Sequence, residues 1–427
     1  MIVTNLLLLS RLVAQDTLSP EGRQMRTDIQ YLAADAREGR GVGTQGLLDA
    51  GQYVADAFKK AGLAPAGTDG YFQPFTISPT APGVMHTDLG GKAVRNVIAV
   101  IPGHSAARRG EIIVIGAHYD HLGLGGPFAL DHPDSTGKIH NGADDNASGT
   151  TALMDVARLL KQRSLDRTVV FVAFTAEEEG DLGSEYFVRN PTVGPVDSIY
   201  TMLNMDMVGR LRNAKLIAAG AATAKEFSGL LDSLNAAHCP ASAETSACVR
   251  FDLRAAGDGW SPSDNASFFA AKRPVLMFFT DLHEDYHRTT DDWEKINVPG
   301  MVQVANFVAD VATALANRPG PLTFVDAPRP QGTAAGSGYG AYLGTIPDMS
   351  ESPGGVRITG VRAGSPAQAG GLQGGDVITR MGEKVVANLY DMTDVLRAHH
   401  PGDTLVIVVK RNGADVPLTV VLGKRGE

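Results

Sequence analysis

"FVAFTAEEEGDLGS", residues 171–184, is an apolar run that stops on three consecutive glutamates. Read back to residue 168, the run has no polar alternation, which suits a strand buried on both faces of a sheet. Adjacent carboxylates repel one another, and a plain strand-to-loop junction has no use for three. Such a cluster is costly unless cations share the locus. Further apolar runs of β type lie at 96–101, 111–115, 200–203 and 274–280. Helical spacing falls at 46–62, 147–163 and 263–271, and another helix opens at Pro299 and runs to 317. Continuous apolar strands alternating with helices predict an α/β fold, a sheet covered on both faces.

In an open α/β sheet, ligands bind beyond the carboxyl ends of the strands. Run 111–115 continues into "GAHYDHLG", which offers His118, Asp120 and His121. Run 168–174 continues into Glu177, Glu178 and Glu179, run 200–203 into Asp206, and run 274–280 into His283, His287 and Asp291. Asp144 and Asp145 stand in "HNGADDNASG", just before a predicted helix. Singly, each has an ordinary explanation: an aspartate before a helix is commonly an N-cap, and an acidic run is commonly a solvated face. Jointly, acid and imidazole groups end four successive strands that open on one crevice. Imidazoles and carboxylates without thiols suit Zn²⁺, with Mn²⁺ or Co²⁺ as substitutes.

Composition narrows the classes. The chain has 427 residues, too many for one ordinary core, and 43% are hydrophobic. With a formal net charge of −9 and no Lys/Arg-rich block, nucleic acid is not an expected partner. No uninterrupted apolar run approaches the roughly 18 residues of a membrane span, so no transmembrane anchor is expected. The opening "MIVTNLLLLSRLVAQD" has a short apolar stretch before Ala14-Gln15 but carries Arg11 inside it, and reads as a degenerate signal peptide. Export to the periplasm or medium is expected. Cys239 and Cys248 leave a disulfide and two reduced thiols both open.

The set His118-Tyr-Asp120, Gly142-Ala-Asp-Asp145-Asn-Ala-Ser-Gly149, Glu177-Glu178, Asp206 and His287 resembles the co-catalytic zinc aminopeptidases of the aminopeptidase Y and bacterial leucyl aminopeptidase type. The resemblance covers about residues 25–315 and includes "LAADAREGRGVGTQG" and "YFQPF" near the start. It implies the zinc-exopeptidase fold, a central mixed and largely parallel sheet with helices on both faces. It also implies two zinc ions about 3.5–4 Å apart sharing a carboxylate and a water. By that resemblance Asp145 is the bridge, His118 and Asp206 complete one metal, and Glu178 and His287 complete the other. Glu177 is the general base, Asp120 orients His118, and Asp291 is placed to do the same for His287. Glu179 is expected to be exposed and dispensable, and the bond after the bridging aspartate to be cis. His283 is expected to act from outside the ligand set, and 237–260 to line the specificity pocket. Asn265 stands where relatives often carry His.

After 317, "NRPGPLTFVDAPRPQGTAAGSGYG" (317–340) has no periodicity and reads as a linker. Beyond it, "AYLGTIPD" and "SPAQAGGLQGGD" resemble a bacterial PDZ domain, a small β-rich unit in which Tyr342-Leu343-Gly344-Thr345 would receive a peptide C-terminus. The expected organisation is an N-terminal segment 1–24, a catalytic domain 25–316, a linker 317–340 and a PDZ domain 341–427. The expected function is removal of N-terminal residues from peptides with a free N-terminus. A zinc dipeptidase or carboxypeptidase is the runner-up within the enzymes, and a metal-free peptide-binding scaffold is the alternative outside them.

Overall fold

The computed structural model describes residues 18–81, 88–126, 128–131, 135–239, 248–327, 341–348, 354–387, 391–392, 395–396 and 398–423. The first unit is built on nine strands: β1 (Ala64–Pro65), β2 (Phe72–Thr76), β3 (Ala93–Ile101), β4 (Ile112–His118), β5 (Thr168–Phe174), β6 (Ile199–Met205), β7 (Lys215–Ala219), β8 (Asp252–Ala256) and β9 (Val275–Phe279). They run in the order β1-β3-β5-β4-β6-β9-β7-β8, with β2 also on β3. The central four, β5-β4-β6-β9, are mutually parallel. Antiparallel partners flank them, β3 on β5 and β7 on β9. The sheet is therefore mixed with a parallel centre.

The alternation of side chains explains how the runs become buried on both faces. Ile113, Ile115, Val169, Phe171 and Ala173 enter one core. There they meet helices α1 (Pro20–Leu32), α2 (Gln45–Lys60) and α3 (Gly149–Lys161), through Met25, Ile29, Val54, Phe58 and Leu153. Val114, Val170, Val172 and Phe174 enter the opposite core with Phe187, from α4 (Leu182–Arg189), and with Phe268 and Phe269, from the helix Asn265–Ala270. Helix α1 begins at Pro20, inside the segment expected to precede the domain, because Ser19 caps it and Met25, Ile29 and Leu32 are buried. Helices α5 (Phe227–His238), α6 (Asn265–Ala270) and α7 (Val298–Asn317) complete the unit, and Asn297 caps α7 through Gly300 N at 3.0 Å. By length and hydropathy α7 could span a bilayer, although polar residues interrupt its apolar run; two thirds of its most apolar stretch is buried instead.

The stretch expected as a linker from 317 adheres to this unit through Ala327. Phe324 packs on Phe269 with ring centroids 5.6 Å apart, Trp260 Nε1 donates to the Ala327 carbonyl at 3.1 Å, and Thr323 N donates to Glu226. The rest of that linker, 328–340, lies outside the described residues. The second unit is an antiparallel sheet of β10 (Thr345–Pro347), β11 (Val356–Val361), β12 (Val377–Met381), β13 (Lys384–Val385), β14 (Thr404–Arg411) and β15 (Ala414–Val421). The short helix α8 (Pro366–Ala369) and a separate core around Ile358, Ile378, Ile407 and Val420 close it.

Candidate metal centre

Because β4, β5, β6 and β9 are parallel, the residues that follow them share one edge of the sheet. His118 ends β4, Glu177 and Glu178 follow β5, Asp206 follows β6, and His283 and His287 follow β9. The chain turns sharply at these junctions. Ala176, Met207 and His287 have φ of 55°, 50° and 55°, a left-handed conformation uncommon outside glycine and concentrated at functional sites. Asp145 arrives from the segment before α3, and the Asp145–Asn146 bond is cis.

Two donor sets result. His118 Nε2 lies 3.4 Å from Asp145 Oδ1 and 3.4 Å from Asp206 Oδ1. His287 Nε2 lies 3.1 Å from Asp145 Oδ2 and 3.2 Å from Glu178 Oε2. The two oxygens of Asp145 therefore face different imidazoles. Ligands held about 2.0–2.2 Å from one tetrahedral zinc are about 3.3–3.6 Å apart, close to these spacings. Asp206 Oδ1 is buried with no hydrogen-bond partner among the described residues, so an acceptor there awaits a cation. Donor chemistry, spacing and this orphaned oxygen all fit zinc.

Glu177 joins neither set. Its Oε2 stands 3.9 Å from His118 Nε2. It also falls within 4.8 Å of His118 and Asp206, a grouping that could itself hold a cation; the shorter Asp145 and Asp206 contacts to His118 favour those two as the partners. Burial, reinforced by Asp181, Glu178 and Asp206 against the pull of His118, holds the Glu177 carboxyl well above its ordinary range. Burial would raise Glu178 as well, but His287 and the His121 hydrogen bond bring it down to about 2. Burial pulls His287 down, and Glu178 and Asp145 outweigh it, lifting the imidazole to about 10. A cation held by His287 Nε2 and these carboxylates would take the place of that proton.

The surrounding hydrogen bonds amend several expectations. Asp120 Oδ1 is 3.9 Å from His118 Nδ1, too far to bond it, and Oδ2 instead accepts from Glu178 N at 3.3 Å. His118 Nδ1 faces the Asp120 backbone carbonyl at 3.3 Å. Asp291 does not hold His287, whose Nδ1 donates to the Phe128 carbonyl at 2.9 Å. Asp291 instead accepts from the amides of Asp144 and Asp145 at 2.9 and 3.1 Å. His283 is bonded to Asp144 Oδ2 at 3.0 Å, outside both sets. Asn265 anchors its own loop through Gly259 O and Ser261 Oγ. Glu179 is half-buried rather than exposed, with one carboxylate oxygen that has no partner among the described residues. Of the stretch 237–260, residues 240–247 lie outside the described residues, and 252–256 form the edge strand β8.

Three supports were not read from the sequence. Arg40 is fully buried and donates to the carbonyls of Tyr119, Leu32, Asn141 and Gly142 at 2.7–2.9 Å. Burial lowers its guanidinium to about 10, still charged at neutral pH. Asn146 ties Met205 O, Gly149 N and Met207 N together. Ser263 links Asn204 to Asp206 Oδ2. The signal for Arg40 was present in "EGRG", but three of its four carbonyl partners are remote in sequence.

The profile of peptidase family M28 matches residues 96–312, and that of the PDZ domain matches 341–422. Aminopeptidase YwaD of Bacillus subtilis is 35% identical over 99 residues, which are 23% of this chain and 18% of that protein. Leucine aminopeptidase 1 of Arthroderma otae is 28% identical over 248 residues, 52% of this chain and 58% of that protein. The chain thus spans less than two thirds of the curated relatives it matches. A Zn-dependent exopeptidase from Parabacteroides distasonis superposes with a TM-score of 0.54 at 18% identity, over 70% of this chain and 98% of its own, which shows the shared fold.

Proposed function

The chain belongs to peptidase family M28 over residues 96–312, and from that premise we propose that it is a two-zinc aminopeptidase. The carrying observation is the division of Asp145, with one oxygen toward His118 and the other toward His287. One position is formed by His118, Asp145 and Asp206, the other by Asp145, Glu178 and His287. Zinc, when bound, supplies water acidified to a pKa of about 7 and a Lewis acid toward the scissile carbonyl. Glu177, free of both sets, takes the proton from the attacking water and returns it to the departing amine. Asp120 fixes the turn that presents Glu178 by accepting from its amide.

Peptides with a free N-terminus are the substrates in this reading, since the excess of carboxylates around the site attracts an ammonium group. At the PDZ unit, Leu343 O and Gly344 O are taken by Ala367 N and Arg362 N. The Leu343 and Gly344 amides meet no acceptor among the described residues, and they are offered to a peptide carboxylate. The Cys239–Cys248 disulfide supports work in an oxidising compartment outside the cytoplasm.

Elemental analysis with hydrolysis of aminoacyl amides tests the reading. The expected result is about two zincs per chain and cleavage abolished by a chelator and by N-acetylation of the substrate. Cleavage of N-blocked peptides from their C-terminal end would turn the assignment to a carboxypeptidase. Metal-free protein without hydrolysis would turn it to a scaffold.

A further inference from the structure

His121 lies against the centre without entering either donor set. Its side chain is fully buried, and its Nδ1 is 2.7 Å from Glu178 Oε1 and 3.8 Å from Asp145 Oδ2. A spacing of 2.7 Å is a direct hydrogen bond and leaves no room for an ion between the two atoms, since ligands sharing a zinc are about 3.3–3.6 Å apart. The other carboxylate oxygen, Oε2, is the one that faces His287 at 3.2 Å. The two oxygens of Glu178 are therefore assigned differently, and the imidazole of His121 makes the assignment. That ring is itself held. A Cβ on Gly142 would fall 2.4 Å from its Cδ2, His287 meets it edge-on at 5.8 Å, and its amide donates to the Arg40 carbonyl at 3.2 Å. Its Nε2 is buried without a partner among the described residues, so Nδ1 is the nitrogen that carries the hydrogen.

We infer that His121 is a positioning residue that restricts Glu178 to one-oxygen donation at the metal position shared with Asp145 and His287. The inference rests on the two-metal reading. Free of His121, Glu178 can swing to offer both oxygens or turn away from the position. Asn is the discriminating replacement, because its amide nitrogen stands where Nδ1 stands, whereas Gln carries its amide nitrogen nearer the Nε2 position and Leu has no donor.

The test is titration of the metal-free protein with Zn²⁺ against a competing chelator, with Co²⁺ absorption as the spectroscopic readout. His121→Leu is expected to weaken one of two binding steps by about 10–100-fold, leave the other within a few-fold, and alter the visible Co²⁺ bands of the weakened position. His121→Asn is expected to keep both steps and the bands. His121→Gln stands in for Leu if that variant does not fold. Unchanged affinity in Leu and Gln, equal weakening of both steps, or an Asn variant as weak as Leu overturns the role of His121. Absence of two tight steps in the unaltered protein overturns the two-metal reading together with it.

Discussion

Glu177 and Glu178 are neighbours in the chain whose side chains part: one ends 3.9 Å from His118, the other 3.2 Å from His287. A carboxylate bound to a metal cannot also take a proton freely, so the two roles require two residues. Glu177→Gln is expected to keep its metals and lose about 10²–10⁴ in kcat with little change in KM. Glu178→Gln is expected to lose metal as well, seen by elemental analysis of the same sample. Glu179→Gln should stay within a few-fold of the unaltered enzyme, since its charge serves neither donor set. A loss in Glu179→Gln equal to that of Glu177→Gln would mean the roles in the triplet are misplaced.

The elements around the centre are joined by buried polar side chains rather than by packing alone. Arg40 binds four carbonyls contributed by the end of α1, the exit of β4 and the approach to Asp145. Removing it leaves buried acceptors unpaired at about 1–3 kcal/mol each where water cannot replace it. Arg40→Leu should therefore lower stability by at least about 3 kcal/mol in urea unfolding and weaken zinc binding with it. Arg40→Lys should recover only part, because an ammonium lacks the planar fork that spans these carbonyls. In the second unit, Arg411 on β14 grips Asp376 through two contacts of 2.7 Å. Burial would raise the Asp376 carboxyl, and the Arg411 bond outweighs it, holding the carboxyl below its ordinary range. A depressed folded value contributes stability above the unfolded value of about 3.9, lost as pH falls through the folded value. Asp376→Asn should accordingly destabilise the PDZ unit at neutral pH and cost progressively less in acid, measured by urea midpoints across that window.

Across the whole molecule, the donor sets and Glu177 belong to the first sheet, while the second sheet has its own core. The two units meet at Lys215, which reaches both Asp281 and Asp348 at 2.9 and 2.8 Å, and at Arg362, which donates to the Glu284 carbonyl at 3.5 Å. A partly exposed ion pair and one long hydrogen bond contribute little. A chain ending after Ala327 should fold, bind its metals and cleave a small aminoacyl amide within a few-fold of the full chain. A chain ending after Asn317 loses Phe324 from Phe269 and the Ala327 carbonyl from Trp260, and should show a lower Tm. If the Leu343–Gly344 loop holds peptide C-termini, the Ala327 truncation should lose selectively on a long peptide, because tethering raises its effective concentration at the metal centre. Equal rates for the truncated and full chains on long and short substrates would remove that role.

The apolar runs, the helices between them and the acids at their ends were legible because burial on two faces leaves an unbroken apolar signature, and a charged cluster after such a run has few structural uses. That much predicted an α/β sheet covered on both faces and placed His118, Asp145, Glu178, Asp206 and His287 among the acids and imidazoles of one crevice; the family resemblance singled out those five and implied the largely parallel sheet. The strands β7 and β8 were not read, being short, and β8 is only partly buried at the sheet's edge, where apolar content is weakest. Nor were the partners of Arg40, Asp291 and His121, which, Leu32 beside Arg40 apart, lie 57 to 147 positions away along the chain. Local spacing carries no information about contacts closed by crossovers of that length. Sequence therefore determined which residue types gather at the crevice; only the tertiary structure decided which oxygen of each carboxylate faces which imidazole, because that choice is made by hydrogen bonds between segments remote in sequence.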